Sequence, residues 1–121
     1  MQNFHPTGFC PIRDIISRLS SKWGMLILIT LNANNTMRFN DIQKSIGDIS
    51  QRMLTVTLRA LEADGLVSRT IYAEVPPRVE YKLTERGNSL IPLLKNLVDW
   101  AIANTDAILQ ERTDKEYEET V

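Results

Sequence analysis

The sequence predicts a mainly α-helical fold of the α+β class, with several short helices, one small β-hairpin and a long helix towards the C-terminus. Three observations predict it. Before position 65, apolar residues recur at the three- and four-residue spacing of helix faces. Two six-residue runs rich in β-branched and aromatic residues, Val67–Tyr72 and Arg78–Leu83, then flank a turn that contains two prolines. Finally, an apolar stripe runs at helical spacing from Leu90 through Leu109. At 121 residues, 43% of them hydrophobic and 24% charged, the chain has the size and balance of one soluble domain. We expect a single domain over 1–121, with a core at about 11–84, a C-terminal helix at about 85–112 and an acidic tail at 113–121.

The first helix starts at Pro11, where a missing N–H costs nothing, and carries Ile12, Ile15, Ile16 and Leu19. Ser20 or Ser21 can cap a second helix over 22–31, whose Trp23, Met25, Leu26, Ile27, Leu28 and Ile29 leave almost no polar side, so it should be buried. Trp23 reads there as a core anchor rather than a ligand platform. Asn32 to Asn35 has turn chemistry, Thr36-Met37-Arg38 a short extended segment, and Asn40-Asp41 can open a third helix that Gly47-Asp48 stops after Ile46.

Ser50 can cap a fourth helix over 51–64, ended by Gly65 in a left-handed conformation. At 100° per residue, Leu54, Leu58 and Leu61 share one side, while Arg52, Thr55, Val56, Arg59 and Ala63 share the other. The second strand of the hairpin alternates Val79, Tyr81 and Leu83 with Arg78, Glu80 and Lys82, which predicts one buried and one outward face. Thr84 to Gly87 opens the last helix, and Pro92 should kink or split it.

Composition excludes several functions. One cysteine, Cys10, and one histidine, His5, make neither an internal disulfide nor a conventional zinc site, so no metal or cofactor is expected. No Gly-rich phosphate loop and no partner for a Cys10 nucleophile are present, which argues against an enzyme. The longest apolar run, Met25 to Ile29, is far short of the roughly 20 residues of a membrane span, and no signal-peptide pattern precedes it, so a cytoplasmic protein is expected. No pocket for a small-molecule effector can be read from the residues.

Short helices, of which the third and fourth are joined by a tight turn, followed by a hairpin wing, have the order of a winged helix-turn-helix. Its usual partner is double-stranded DNA, with the fourth helix in the major groove. There an arginine can donate bidentately to guanine and a threonine can meet a base edge or a thymine methyl, which makes Arg52, Thr55 and Arg59 candidate readers. The same three residues also describe a solvated helix face, and a winged helix can serve as a protein-interaction module alone. The net charge of −1 conceals a gradient. Up to Lys82 there are ten Lys/Arg against seven Asp/Glu, and from Leu83 four against eight, a balance of +3 followed by −4.

Motifs spread along nearly the whole chain carry a family resemblance. They are Cys10-Pro11, Ser21-Lys22-Trp23, Arg38-Phe39-Asn40-Asp41-Ile42, Ile49-Ser50-Gln51-Arg52-Met53-Leu54-Thr55, the run from Leu58 to Val67, Val75-Pro76-Pro77-Arg78-Val79-Glu80-Tyr81, and Leu83-Thr84-Glu85-Arg86-Gly87. In these the sequence resembles HxlR-type transcriptional regulators, which are MarR-like. It departs from their pattern at Asn32 to Thr36, where a Gly-containing turn is more usual, and in the extended tail after Trp100.

The resemblance implies a bacterial or archaeal homodimer that binds a pseudo-palindromic DNA operator. With the residue chemistry, it nominates Lys22, Arg38, Asn40, Ser50, Gln51, Arg52, Thr55, Arg59 and Arg78 for DNA contact. Arg78, beside two stiffening prolines, suits a phosphate or the minor groove. Lys22 and Arg38 are phosphate clamps or plain solvated charges. A long helix after a complete small domain has more apolar surface than that domain can cover, so Leu94, Leu97, Val98, Ala101 and Ile102, with Ile12, are expected at a dimer interface. Some regulators resembling this chain sense oxidants or electrophiles through a cysteine at the position of Cys10. A helix N-terminus favours a thiolate there, and an inert packing cysteine is the alternative.

Overall fold

The computed structural model describes residues 11–120, without the side chain of Thr120. The elements run α1 (Pro11–Leu19), α2 (Lys22–Asn34), β1 (Met37–Arg38), α3 (Phe39–Ile46), α4 (Gln51–Ala63), β2 (Val67–Tyr72), β3 (Arg78–Leu83) and α5 (Glu85–Thr120). This is a winged helix-turn-helix, mainly α, with a small antiparallel sheet and a long C-terminal helix. The chain forms two compact units. One ends at Ile91 and holds α1 to α4, the sheet and the first turns of α5, and the other, from Pro92, is the remainder of α5.

The core of the first unit is apolar throughout. Ile27, Leu28 and Leu31 of α2, Ile42 of α3, Leu54, Leu58 and Leu61 of α4, and Val67 of β2 are sealed from solvent. α2 packs on α3, α4 and β3, and α4 also packs on β2. The strand order is β1-β3-β2, all antiparallel. Val67 pairs with Leu83 and Tyr72 with Arg78, and β1 adds Met37 opposite Tyr81 and Arg38 opposite Glu80.

Helix ends follow their capping chemistry. The hydroxyl of Ser21 accepts from the Gly24 N–H at 3.1 Å, and that of Ser50 from the Met53 N–H at 3.1 Å. Gly47 and Gly65 have φ of 93° and 73°, which L side chains rarely adopt, and they turn the chain after α3 and α4. Gly87 lies so close to the Leu66 carbonyl that a Cβ would overlap it, which lets the start of α5 pack on the α4–β2 turn.

Several expectations change in three dimensions. α2 continues through Asn32, Ala33 and Asn34, because buried Leu31 holds its last turn and Asn35, at φ 64°, ends it instead. α3 begins at Phe39, one residue early, because the Asp41 carboxylate accepts from the Arg38 N–H at 3.3 Å and places the cap at Arg38. α2 is not buried all round. Leu26 is exposed, and Trp23 is only half-buried with the Lys22 ammonium 4.3 Å from its ring centre.

The clean alternation of β3 is also lost. Arg78 and Glu80 are half-buried like Val79 and Tyr81, because β3 is the central strand and its charged pair is bonded. α5 runs unbroken through Pro92, and the acidic stretch 113–120 is helical.

Candidate nucleic-acid interface

The α3–turn–α4 segment is built to display one face of α4. Ile49 is buried in the turn, and the Gln43 side-chain amide donates to its carbonyl at 3.2 Å, fixing the approach to Ser50. Leu54, Leu58 and Leu61 then anchor α4 inward, so Gln51, Arg52, Met53, Val56 and Arg59 are exposed and Thr55 is half-exposed. The Thr55 hydroxyl donates to the Gln51 carbonyl at 2.8 Å, which leaves its lone pair and methyl for an outside partner.

Arg52 and Arg59 are exposed, and among the described residues neither makes a hydrogen bond or an ion pair. Such guanidiniums keep all five donors available. Met53 and Val56, 41% and 55% exposed, add apolar surface of the kind that meets a thymine methyl.

Around α4 the other nominated side chains differ in how committed they are. Arg38, Asn40 and Ser50 are exposed. Lys22 lies 4.0 Å from Asp48, both largely in solvent, which is a weak and easily exchanged pairing. Arg78 is held much more firmly. Its Nε lies 2.8 Å from Glu74, its Nη1 donates to Glu80 at 3.1 Å, and its guanidinium sits 4.1 Å from the Tyr72 ring centre. At the tip of the wing, Val75 is fully exposed, with Pro76 and Pro77 exposed beside it.

A cleft of about 180 Å³ lies beside α4, lined by Phe39, Thr55, Leu58, Arg59, Glu62, Arg69 and Tyr81. Glu62 and Arg69 pair across it at 3.5 Å, tying β2 to α4. Burial pushes the Tyr81 phenol above its ordinary pKa of 10, with Arg69 and Arg59 partly opposing. Arg69 and Tyr81 line this cleft and are not among the residues that the sequence nominates. The hairpin register, which makes them cross-strand partners, was the signal that could have found them.

Of the residues expected at a dimer interface, Leu97 and Ile102 are 50% and 70% exposed, Ala101 is exposed, and Val98 and Ile12 are half-buried. Leu94 differs from them at 6% exposure. Leu93 and Trp100, 63% and 59% exposed, were not nominated and extend the apolar surface of α5. Cys10 lies outside the described residues. Among the described residues, no cluster of His, Cys, Asp or Glu could hold a metal ion, and no helix is long and apolar enough to cross a membrane.

A helix-turn-helix whose second helix displays two unpaired arginines can grip the phosphates and base edges of duplex DNA. Residues 18–108 match the sequence model of the HxlR-like helix-turn-helix family. The chain belongs to that family. It is 48% identical over 91 residues to an HTH-type transcriptional regulator of Methanothermobacter thermautotrophicus, covering 75% of this chain and 69% of that one. Its fold is similar to the transcriptional regulator YtfH of Salmonella typhimurium, with a TM-score of 0.79 at 39% identity over 86% of this chain and 92% of that one. It is also similar to the redox regulator HypR in its reduced form, with a TM-score of 0.75 at 37% identity over 83% and 98% of the two chains. The protein is thus an HxlR-like transcriptional regulator with a helix-turn-helix fold.

Proposed function

We propose that the protein binds a specific DNA operator as a homodimer and regulates transcription in the cytoplasm. The observation that carries this reading is the outer face of α4, where Arg52 and Arg59 stand exposed and uncompensated around Thr55. In this reading Arg52, Thr55 and Arg59 read base edges, while Ser50, Gln51, Lys22, Arg38 and Asn40 fix the register on phosphates. The wing approaches the neighbouring groove, and Arg78 contacts it only by giving up part of its hold on Glu74 or Glu80.

The stripe of α5 with exposed Leu97, Ala101 and Ile102 and half-buried Val98 pairs with its two-fold mate, and Ile12 with the N-terminal segment adds to that contact. Two α4 helices would then meet successive major grooves about 34 Å apart, which calls for a pseudo-palindromic operator. Selection of bound sequences from a random DNA pool tests this directly. Enrichment of a two-fold motif with half-sites one turn apart supports the reading, and recovery of no motif refutes it.

A second reading, favoured by the likeness to the redox regulator HypR, makes Cys10 a sensor. With no other cysteine in the chain, it would act by an inter-subunit disulfide, a mixed disulfide with a small thiol, or alkylation. Operator binding before and after diamide, in wild type and Cys10→Ser, tests it. Affinity unchanged by diamide, with no adduct by mass spectrometry, leaves Cys10 a packing residue.

A further inference from the structure

Two elements, α1 and the start of α5, converge on the C-terminal end of α4. Asp64 is its C-cap, and the Asp64 carboxylate receives Arg18 of α1, with Arg18 Nε 3.0 Å from Asp64 Oδ2. Both of these atoms are sealed from solvent although the two side chains are partly exposed. A second arm of the same guanidinium donates to the Ala60 carbonyl at 3.4 Å, one turn earlier in α4. From the other side, Arg86, at the start of α5, donates to the Asp64 carbonyl at 3.0 Å.

Two neighbouring residues fit this arrangement. The Arg86 guanidinium occupies the space that a Cβ on Gly65 would need. The Ser21 hydroxyl donates to the Arg18 carbonyl at 3.0 Å, so the backbone that carries Arg18 is fixed at the α1–α2 junction. No residue of α1 is fully buried, and Arg18 ties that helix to α4 by an ion pair and a hydrogen bond.

We propose that Arg18 and Arg86 are positioning residues for DNA recognition: together they clamp Asp64 and set the direction of α4 in the groove. The physical reason is leverage. The readers Arg52, Thr55 and Arg59 lie on a helix whose base is held at its far end, and tilting a rigid helix there displaces its first turns most. A positively charged pair at the C-terminal end of α4 also complements the negative end of the helix dipole. Because the carboxylate and the carbonyl of one residue take separate arginines, movement of either α1 or the start of α5 is passed to α4 through the same point. This inference rests on the proposed DNA-binding role of α4.

The test uses the full chain with Arg18→Gln, Asp64→Asn, their double variant and Arg18→Lys. We expect each single variant to lose roughly three- to tenfold in operator affinity, in the range of coupling between contacting residues, while random-DNA affinity stays near wild type. The double variant should be no weaker than the singles, and Arg18→Lys should recover most of the loss. In the DNA-free protein, the amides of Asp64, Gly65 and Leu66, bonded to Ala60, Glu62 and Leu61, should exchange faster in the single variants. Operator affinity within twofold of wild type, multiplicative losses in the double variant, or equal losses on operator and random DNA would each overturn the clamp. Wild-type protein that shows no preference for any DNA sequence would instead overturn the DNA-binding reading, and the exchange measurement would still decide the clamp.

Discussion

Replacing Arg59 and Arg78 by alanine should have different consequences, although both are arginines on the face assigned to DNA. Arg59 has no compensating partner among the described residues, so a bidentate bond to guanine replaces only its bonds to water. Loss of such a contact costs about 1–3 kcal/mol, or five- to 150-fold in operator affinity, with a smaller effect on random DNA. Arg78 starts from three local contacts, to Glu74, Glu80 and the Tyr72 ring. With Glu74 and Glu80 included, this end of the wing carries a net −1, so a phosphate must compete with two carboxylates already in place. A free cation meeting one phosphate changes the salt slope by about 0.9.

Arg78→Ala should therefore change the slope by clearly less, and Glu80→Gln, which removes one competing carboxylate, should strengthen binding to all sequences. Fluorescence anisotropy against operator and random duplexes from 50 to 300 mM salt, on the order of the range over which counterion release is read, separates these effects. Arg59→Ala binding the operator as wild type does would refute the reading of α4. A full-unit slope change in Arg78→Ala, with no gain in Glu80→Gln, would refute the argument that the carboxylates hold Arg78 back.

Three further predictions follow from particular side chains. Leu97→Asp with Ile102→Asp places charges in the exposed α5 stripe, and sedimentation should show a monomer for this variant and the proposed dimer for wild type, since each of these residues offers roughly 1–2 kcal/mol of remaining apolar burial per subunit. Leu54→Ala, at a fully sealed position, should destabilise the chain by about 2–5 kcal/mol in urea unfolding, whereas Arg52→Ala should leave the urea midpoint unchanged. The Tyr81 phenol, raised above 10 by burial, should ionise late in an ultraviolet titration. Its folded state favours the neutral form, so stability is complete below pH 10 and falls as pH rises from there through the raised value; Tyr81→Phe should abolish that part of the loss.

Residues that act on their neighbours in the chain were legible from the sequence. Ser21, Ser50 and Gly65 bound helices because capping and left-handed turns depend on a few adjacent peptide units. The period of Leu54, Leu58 and Leu61 named the buried side of α4 and hence the outward side with Arg52 and Arg59, since a helix turns by a fixed angle per residue. The hairpin strands were found at both ends because the prolines between them cannot join a ladder. These local rules misled where a distant group took part. Asn32 to Asn34 has turn chemistry, yet burial of Leu31 keeps it helical.

What only the tertiary structure decided is the pairing of groups distant in sequence. Arg18 reaches Ala60, 42 residues away, and no period or composition indicates that contact. β1 finds the central strand β3 through folding of the intervening helices, and that position changes the burial of Arg78 and Glu80. Arg78 looks in sequence like a free charge beside two prolines, but the hairpin turns it onto Tyr72 and between two glutamates. Leu94 belongs to the same apolar stripe as Leu97, yet one is 6% exposed and the other 50%. The physical reason is common to these cases: periodicity specifies which side of an element is apolar, while the group that covers that side, or neutralises a charge on it, is chosen by the packing of the whole chain.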